Sequence, residues 1–163
     1  MKIQPQRTWI WSRPERALAF GFGSGLSFRA PGTVGTLYAW AFYLLFEILF
    51  STHTIAWIIA LGAIAGIWIC GKVGEELGVP DYGGIVWDEI VGYAITLLWA
   101  PLHWQTLLLG FVLFRLFDIV KPWPISWLDK KVHGGVGIML DDVVAGVFAL
   151  VALQLLLPLL PLS

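Results

Sequence analysis

The sequence predicts an all-α membrane protein, a polytopic helical bundle of about four to five spans with an active site at its cytoplasmic face. Three observations predict it. The first is composition: of 163 residues, 58% are apolar and 13% charged, with a mean hydropathy of +0.80. A soluble domain is about 25% charged, so lipid must cover much of this surface. The second is a series of long apolar runs, and the third is a one-sided distribution of charge. Ten Trp exceed what a core needs and suit a membrane interface, where an apolar ring keeps its N–H wet.

Five apolar segments can be drawn, at 34–50, 55–73, 85–100, 104–120 and 143–160. A spanning helix needs about 20 residues, so these are short and the third is the shortest. The whole chain, 1–163, reads as a single membrane domain, with 1–20 as a cytoplasmic or interfacial N-terminal segment. Met1 to Arg16 is polar and basic, and Gly21, Gly23 and Gly25 break the stretch that follows, so no signal-peptide cleavage is expected. Cys70 is the single cysteine and lies in an apolar run, which reads as a small buried hydrophobe.

The basic residues decide sidedness. Lys2, Arg7, Arg13, Arg16, Arg29, Lys72, Arg115, Lys121, Lys130 and Lys131 lie in or near the N-terminal segment, the 72–84 loop or the 121–142 loop. The connections 51–54 and 101–103 and the tail after Leu160 carry none. One topology therefore gathers all ten: N-terminus in, C-terminus out. Every acid except Glu47 follows the same geometry. The positive-inside rule does not require that of acids, so they need another explanation. A net charge of −1 makes no case for nucleic acid; the expected partners are membrane lipids, and oligomeric state is left open.

Three acidic stations converge on that face. Asp88 and Glu89 open the third span, Asp118 closes the fourth, and Asp141 and Asp142 enter the fifth. Acids at helix N-termini complement the dipole and cap free N–H groups, which accounts for one acid of each adjacent pair. It fails for Asp118, near a helix C-terminus, whose best bland role is a salt bridge to Arg115 or Lys121. Several carboxylates with few bases repel one another unless a cation joins them. Oxygen ligands suit Mg²⁺, whereas zinc lacks ligands, since His53 and His103 fall in the outer connections.

Two loops complete the set. The run 21–36 holds five Gly, several hydroxyls and Arg29 just before the first span. Such a loop can cradle an anion, or can simply be a flexible or closely packed lead-in. It carries neither a Walker Lys nor a dinucleotide fingerprint. Lys130 and Lys131 suit anionic head groups. His133 is the one inward-side His and an acid/base candidate.

Taken together, GFGSGLS…APGTVGT, IVWDEIVG, FRLFDIVKPWPI and HGGVGIMLDDVVAG resemble the phosphatidylglycerophosphatase A family, from Gly21 to about Gly146. The resemblance implies a bacterial inner-membrane enzyme of phospholipid biosynthesis. It would remove the terminal phosphate of phosphatidylglycerophosphate with Mg²⁺, leaving phosphatidylglycerol. In that reading Asp88, Glu89, Asp118, Asp141 and Asp142 hold the metal, and Asp118, Asp88, Asp142 and Lys121 are catalytic. Ser24, Thr33, Thr36, Arg115 and Lys121 bind the phosphoryl group, with Arg29 behind them. Attack by water and attack by an Asp carboxylate both remain open. A cation transporter is a poorer reading, because transport sites usually lie at the midplane between repeats. A nucleotide-activated lipid phosphotransferase lacks its four-Asp signature here, and a non-catalytic scaffold leaves the acids unexplained.

Overall fold

The computed structural model describes residues 5–79 and 81–160; Lys2 and the last three residues of the tail lie outside them. Every regular element among the described residues is helical. Two short helices, α1 (Arg7–Ile10) and α2 (Pro14–Ala19), lead through a 3₁₀ turn at Gly21–Leu26 into α3 (Pro31–Leu49) and α4 (Thr52–Leu77). There follow α5 (Trp87–Thr96), α6 (Trp104–Val120), the short α7 (Ile125–Lys131) and α8 (Gly134–Leu156).

Among the described residues, three helices are long and apolar enough to cross a membrane: α3, α4, and α8 with the turn that extends it to Leu159. Local chemistry sets their ends. Pro31 opens α3 at a position where its missing N–H costs nothing. The Ser51 side chain accepts from the Thr54 amide to cap α4, and Gly78, at φ +67°, closes it. Their outer faces invert the soluble pattern. On α4, Trp57, Leu61, Ile64 and Trp68 fall on one helical stripe and are all exposed. Only an apolar solvent makes that stable.

The structure corrects two expected spans. Segment 85–100 is not one crossing helix. α5 has 10 residues, about 15 Å of helix against a core of about 30 Å. Its early end frees carbonyls that hydrocarbon would leave unpaired. Side chains of neighbouring helices meet them: Tyr43 Oη donates to Leu97 O at 2.9 Å and Gln154 Nε2 to Leu98 O at 3.2 Å. The chain then runs irregularly to α6, whose 17 residues reach about 25 Å, the lower limit for a span. The other correction is at the last span, where the helix starts at Gly134 rather than near 143. Glycines permit this: a Cβ on Gly135 would strike the Ile67 carbonyl of α4, and one on Gly137 the Val132 carbonyl. Asp141 and Asp142 therefore lie about two turns inside α8, beyond the reach of a capping role.

α8 is the central helix, packed against α4, α5, α6 and α7. Ile138, Asp142, Ala145, Ala149 and Leu153 form its buried stripe. The α5 and α8 backbones touch. A Cβ on Gly146 would overlap the Gly92 carbonyl, and one on Gly92 would lie 2.7 Å from the Asp142 carbonyl. Small residues at such crossings replace the hydrophobic drive that lipid cannot supply. Thr96 ties the crossing, donating to Gly92 O and approaching Gly146 O at 3.4 Å.

At the charged end, α2 docks on the end of α4. Arg16 Nε meets Glu76 Oε2 at 2.8 Å and Lys72 Nζ meets Glu15 Oε1 at 2.6 Å. The hydrogen bond from Lys72 holds the Glu15 carboxyl below its ordinary range. A carboxyl depressed on folding stabilises the docked form above its unfolded pKa, and the effect is lost as pH falls through the folded value. Protection of the α2 amides from hydrogen exchange, corrected for the intrinsic pH dependence of exchange, should fall in acid, below about pH 4, with no matching fall between about pH 5 and 8. At the helix crossing, Gly146→Leu should cost about 1–3 kcal/mol, read as a lower melting temperature in detergent; an unchanged melting temperature would contradict the close α5–α8 contact.

Candidate active site

The Asp88–Glu89 station begins with a clamp of glycines. Gly25 and Gly84 lie backbone to backbone, Gly21 packs against Val86 and Ile90, and Gly35 packs against Val86. The Val86 amide donates to Ala19 O at 2.8 Å. The loop 21–36 thus fixes the first turn of α5 from outside. Gly32 completes the clamp, because a Cβ there would occupy the place of the Glu89 carboxylate. Sequence reasoning left the loop as either an anion cradle or a packed lead-in; its observed contacts are those of packing.

Behind that clamp a polar cavity of about 220 Å³ opens between α5, the end of α6 and the first half of α8. Asp88 and Glu89 enter from α5, Asp118 and Lys121 from the end of α6, Asp141 and Asp142 from α8, and His133 stands exposed at the start of α8. The structure therefore brings together all five acids expected to act with a metal, together with Lys121 and His133. It does not bring Ser24, Thr33 or Thr36, none of which lines the cavity. The Thr36 hydroxyl is fully buried and donates to Gly32 O one helical turn back, and the Ser24 hydroxyl donates to Phe20 O. Arg29 is exposed before α3, and Glu47 sits in the far half of that helix.

Two cations organise the carboxylates. Arg115 Nη1 lies 2.6 Å from Asp118 Oδ2 and 3.0 Å from Glu89 Oε1, so it joins α6 to α5 from behind the cavity wall. Lys121 Nζ lies 2.6 Å from both Asp141 Oδ2 and Asp129 Oδ1, joining the end of α6 to α8 and α7. Of the two salt-bridge partners open to Asp118 in the sequence, the structure selects Arg115. Burial works against charge on Lys121, but its two carboxylate partners outweigh it and hold its pKa above the ordinary lysine value. Lys121 takes a left-handed backbone, φ +45°, to end α6. That conformation is costly for a non-glycine residue and typical of functional sites.

Sequence reasoning missed Asp81 and Asp129 as members of the site; both line the cavity. Asp129 pairs with Lys121 across a tight turn at Pro122–Pro124, eight residues away in sequence, and no helical period relates them. A signal did exist, since both acids belong to the one-sided set.

Several carboxylate oxygens remain free. Asp88 Oδ1, Glu89 Oε2 and Asp142 Oδ2 are buried and accept no hydrogen bond. Buried anionic oxygens without donors cost several kcal/mol each in order of magnitude, a cost that a proton or a cation would relieve. Among the described residues no three acids, His or Cys converge into a ready-made metal cage. Arg115 and Lys121 draw Glu89, Asp118 and Asp141 towards themselves instead. The donor set is nonetheless all hard oxygen, and Mg²⁺ commonly takes only one or two carboxylates with water and phosphate completing its shell.

Apolar helices carrying a polar, carboxylate-lined cavity at one end define a polytopic membrane protein of the kind that acts on a charged group at the bilayer surface. The chain belongs to the phosphatidylglycerophosphatase A family, whose model matches residues 17–157. It is 48% identical to a phosphatidylglycerophosphatase A of Escherichia coli K12 over 85% of this chain and 80% of that protein. It is 44% identical to one of Haemophilus influenzae over 85% of each chain. A Bacteroides thetaiotaomicron relative, provisionally named a phosphatidylinositol-3-phosphatase, is 42% identical over 80% of this chain and 86% of its own length. No solved structure matches significantly.

Arg115 supplies the test of this geometry. Arg115→Gln leaves Glu89 and Asp118 as neighbouring, largely buried anions without their cation. It should lower stability by about 3 kcal/mol, measured by thermal unfolding in detergent. Stability equal to wild type would show that the pair is not held by Arg115.

Proposed function

We propose that this protein is a magnesium-dependent phosphatidylglycerophosphatase of the bacterial inner membrane, with its N-terminus and cavity on the cytoplasmic side, acting in phospholipid biosynthesis. It would hydrolyse the terminal phosphomonoester of phosphatidylglycerophosphate: oxygen from water joins phosphorus, the ester P–O bond breaks, and a proton passes to the departing alkoxide. Phosphatidylglycerol and inorganic phosphate result. The observation that carries this reading, beside the family, is the set of donor-free carboxylate oxygens on Asp88, Glu89 and Asp142, residues that line a cavity together with Lys121.

Asp88, Glu89, Asp118, Asp141 and Asp142 would hold Mg²⁺, with the unpartnered oxygens of Asp88, Glu89 and Asp142 as first candidates. When bound, the ion would neutralise charge developing on the phosphoryl oxygens. Lys121, fully charged between Asp129 and Asp141, gives the cavity a fixed cation towards which a phosphoryl group can turn. Arg115 acts from behind, orienting Asp118 and Glu89. His133 at the cavity rim stands where it could hand a proton to the leaving oxygen. α8 places Asp142 about 12 Å in from its start, and Asp88 and Glu89, in the first turn of α5, line the same cavity.

The Bacteroides relative raises a second substrate, a phosphoinositide monoester, in the same reaction class. Purified protein should release inorganic phosphate from phosphatidylglycerophosphate only with Mg²⁺, and faster than from phosphatidylinositol 3-phosphate. Asp118→Asn and Asp142→Asn should each lower kcat/KM at least about a hundredfold while the protein stays folded in detergent. Preference for the phosphoinositide would move the substrate assignment. Absence of release from either lipid, with cation flux into liposomes, would turn the reading to transport.

A further inference from the structure

Asp129 is neither among the acids with unpartnered oxygens nor a partner of Arg115, yet it lines the acidic cavity and holds its lysine. Its place follows from α7. Ile125 N donates to Pro122 O at 2.8 Å, so the chain turns just after Lys121 and lays α7 against α8. Ile125 is fully buried, and Asp129, one helical turn on, shares its face of α7. Lys130 and Lys131 follow and are exposed.

The Asp129–Lys121 pair stands partly in water: the Asp129 side chain is 42% exposed and that of Lys121 26%. An ion pair that open adds little to stability. Its effect on direction is larger. A lysine ammonium carries three N–H donors on a flexible four-carbon stem. Asp141 of α8 takes one at 2.6 Å, and Asp129 of α7 takes a second at 2.6 Å. The third has no acceptor among the described residues. An ammonium held by one carboxylate can swivel about that bond; held by two, its last N–H has a fixed direction. Lys121 is the one lysine or arginine among the described residues that line the cavity. A phosphoryl oxygen entering there is an acceptor whose charge suits that remaining donor.

We propose that Asp129 is a positioning residue: together with Asp141 it aims the Lys121 ammonium so that its third N–H meets the phosphoryl group of the substrate. This rests on the phosphatase reading above. Asp129 itself contacts neither phosphate nor metal. Without it Lys121 turns wholly to Asp141, and the cavity loses a fixed donor. A contact made to the phosphoryl group both before and during reaction alters KM rather than kcat.

The test measures inorganic phosphate binding by calorimetry, in detergent with Mg²⁺, beside lipid turnover. It compares wild type, Asp129→Asn, Lys121→Met and the double variant. Asp129→Asn should weaken phosphate binding about tenfold and raise KM by a similar factor, with kcat within about twofold. Its melting temperature should stay near that of wild type. In the Lys121→Met background the same substitution should change phosphate binding by less than about twofold, because Asp129 acts through Lys121. If Lys121→Met fails to fold, Asp129→Glu, which keeps the charge, should hold phosphate affinity within about threefold of wild type. Unchanged affinity in Asp129→Asn, an undiminished effect without Lys121, or no phosphate binding by wild type overturns the proposal. So does a fall in kcat matched by a lower melting temperature, the mark of a merely structural pair. A higher Mg²⁺ requirement at unchanged phosphate affinity would place Asp129 on the metal and overturns it too. Phosphate binding that depends on Asp129, without turnover of phosphatidylglycerophosphate, would sustain the positioning role and remove only the lipid assignment.

Discussion

The contact of α5 with α8 is the constraint on which the rest depends. Gly92 and Gly146 bring two backbones together inside a bundle whose outer faces are apolar. That approach carries Asp88 and Glu89 of one helix alongside Asp141 and Asp142 of the other. Anions so placed in a low-dielectric interior are tolerable only with cations to oppose them. Arg115 and Lys121 do this from α6 and its cap, each bridging two carboxylates on different elements. The ion pairs therefore tie α5, α6, α7 and α8 together, and the site and the bundle share the same bonds.

The shortness of α5 belongs to the same logic. Its acids stand in its first turn, and the clamp of Gly21, Gly25, Gly32 and Gly35 holds that turn against the chain before α3. The carbonyls released at the other end find Tyr43 and Gln154. Lipid enforces this accounting strictly, because no water replaces a lost partner.

Much of this was legible in the sequence. The one-sided distribution of acids located the cavity, and Asp88, Glu89, Asp118, Asp141 and Asp142 all line it. Asp118 was separable from a capping residue because it sits at the wrong end of a helix for an acid. What failed did so for physical reasons. Hydropathy reports apolar runs, not hydrogen bonding, so 85–100 read as a span although its helix ends at Thr96. Glycines at 134–137 read as a loop because intrinsic propensity opposes a helix there, yet close contact with Ile67 and Val132 makes glycine the residue that fits. Ser24, Thr33 and Thr36 looked like anion ligands by type, but hydroxyls beside a helix can satisfy themselves on carbonyls one turn back, as Thr36 does. Asp129 was overlooked because its partner lies across a turn, and turns erase the periodicity that pairing rules use.

α5 separates two unlike environments. Trp87, Ile90, Val91 and Ala94 line an apolar groove with residues of α3 and α4, whereas Asp88 and Glu89 line the acidic cavity. Within lipid, apolar packing gains little transfer energy, because the displaced neighbour is hydrocarbon too. Polar pairs therefore fix this short helix on both faces: Glu89 with Arg115 on one, and the Trp87 indole N–H with Gly62 O on the other.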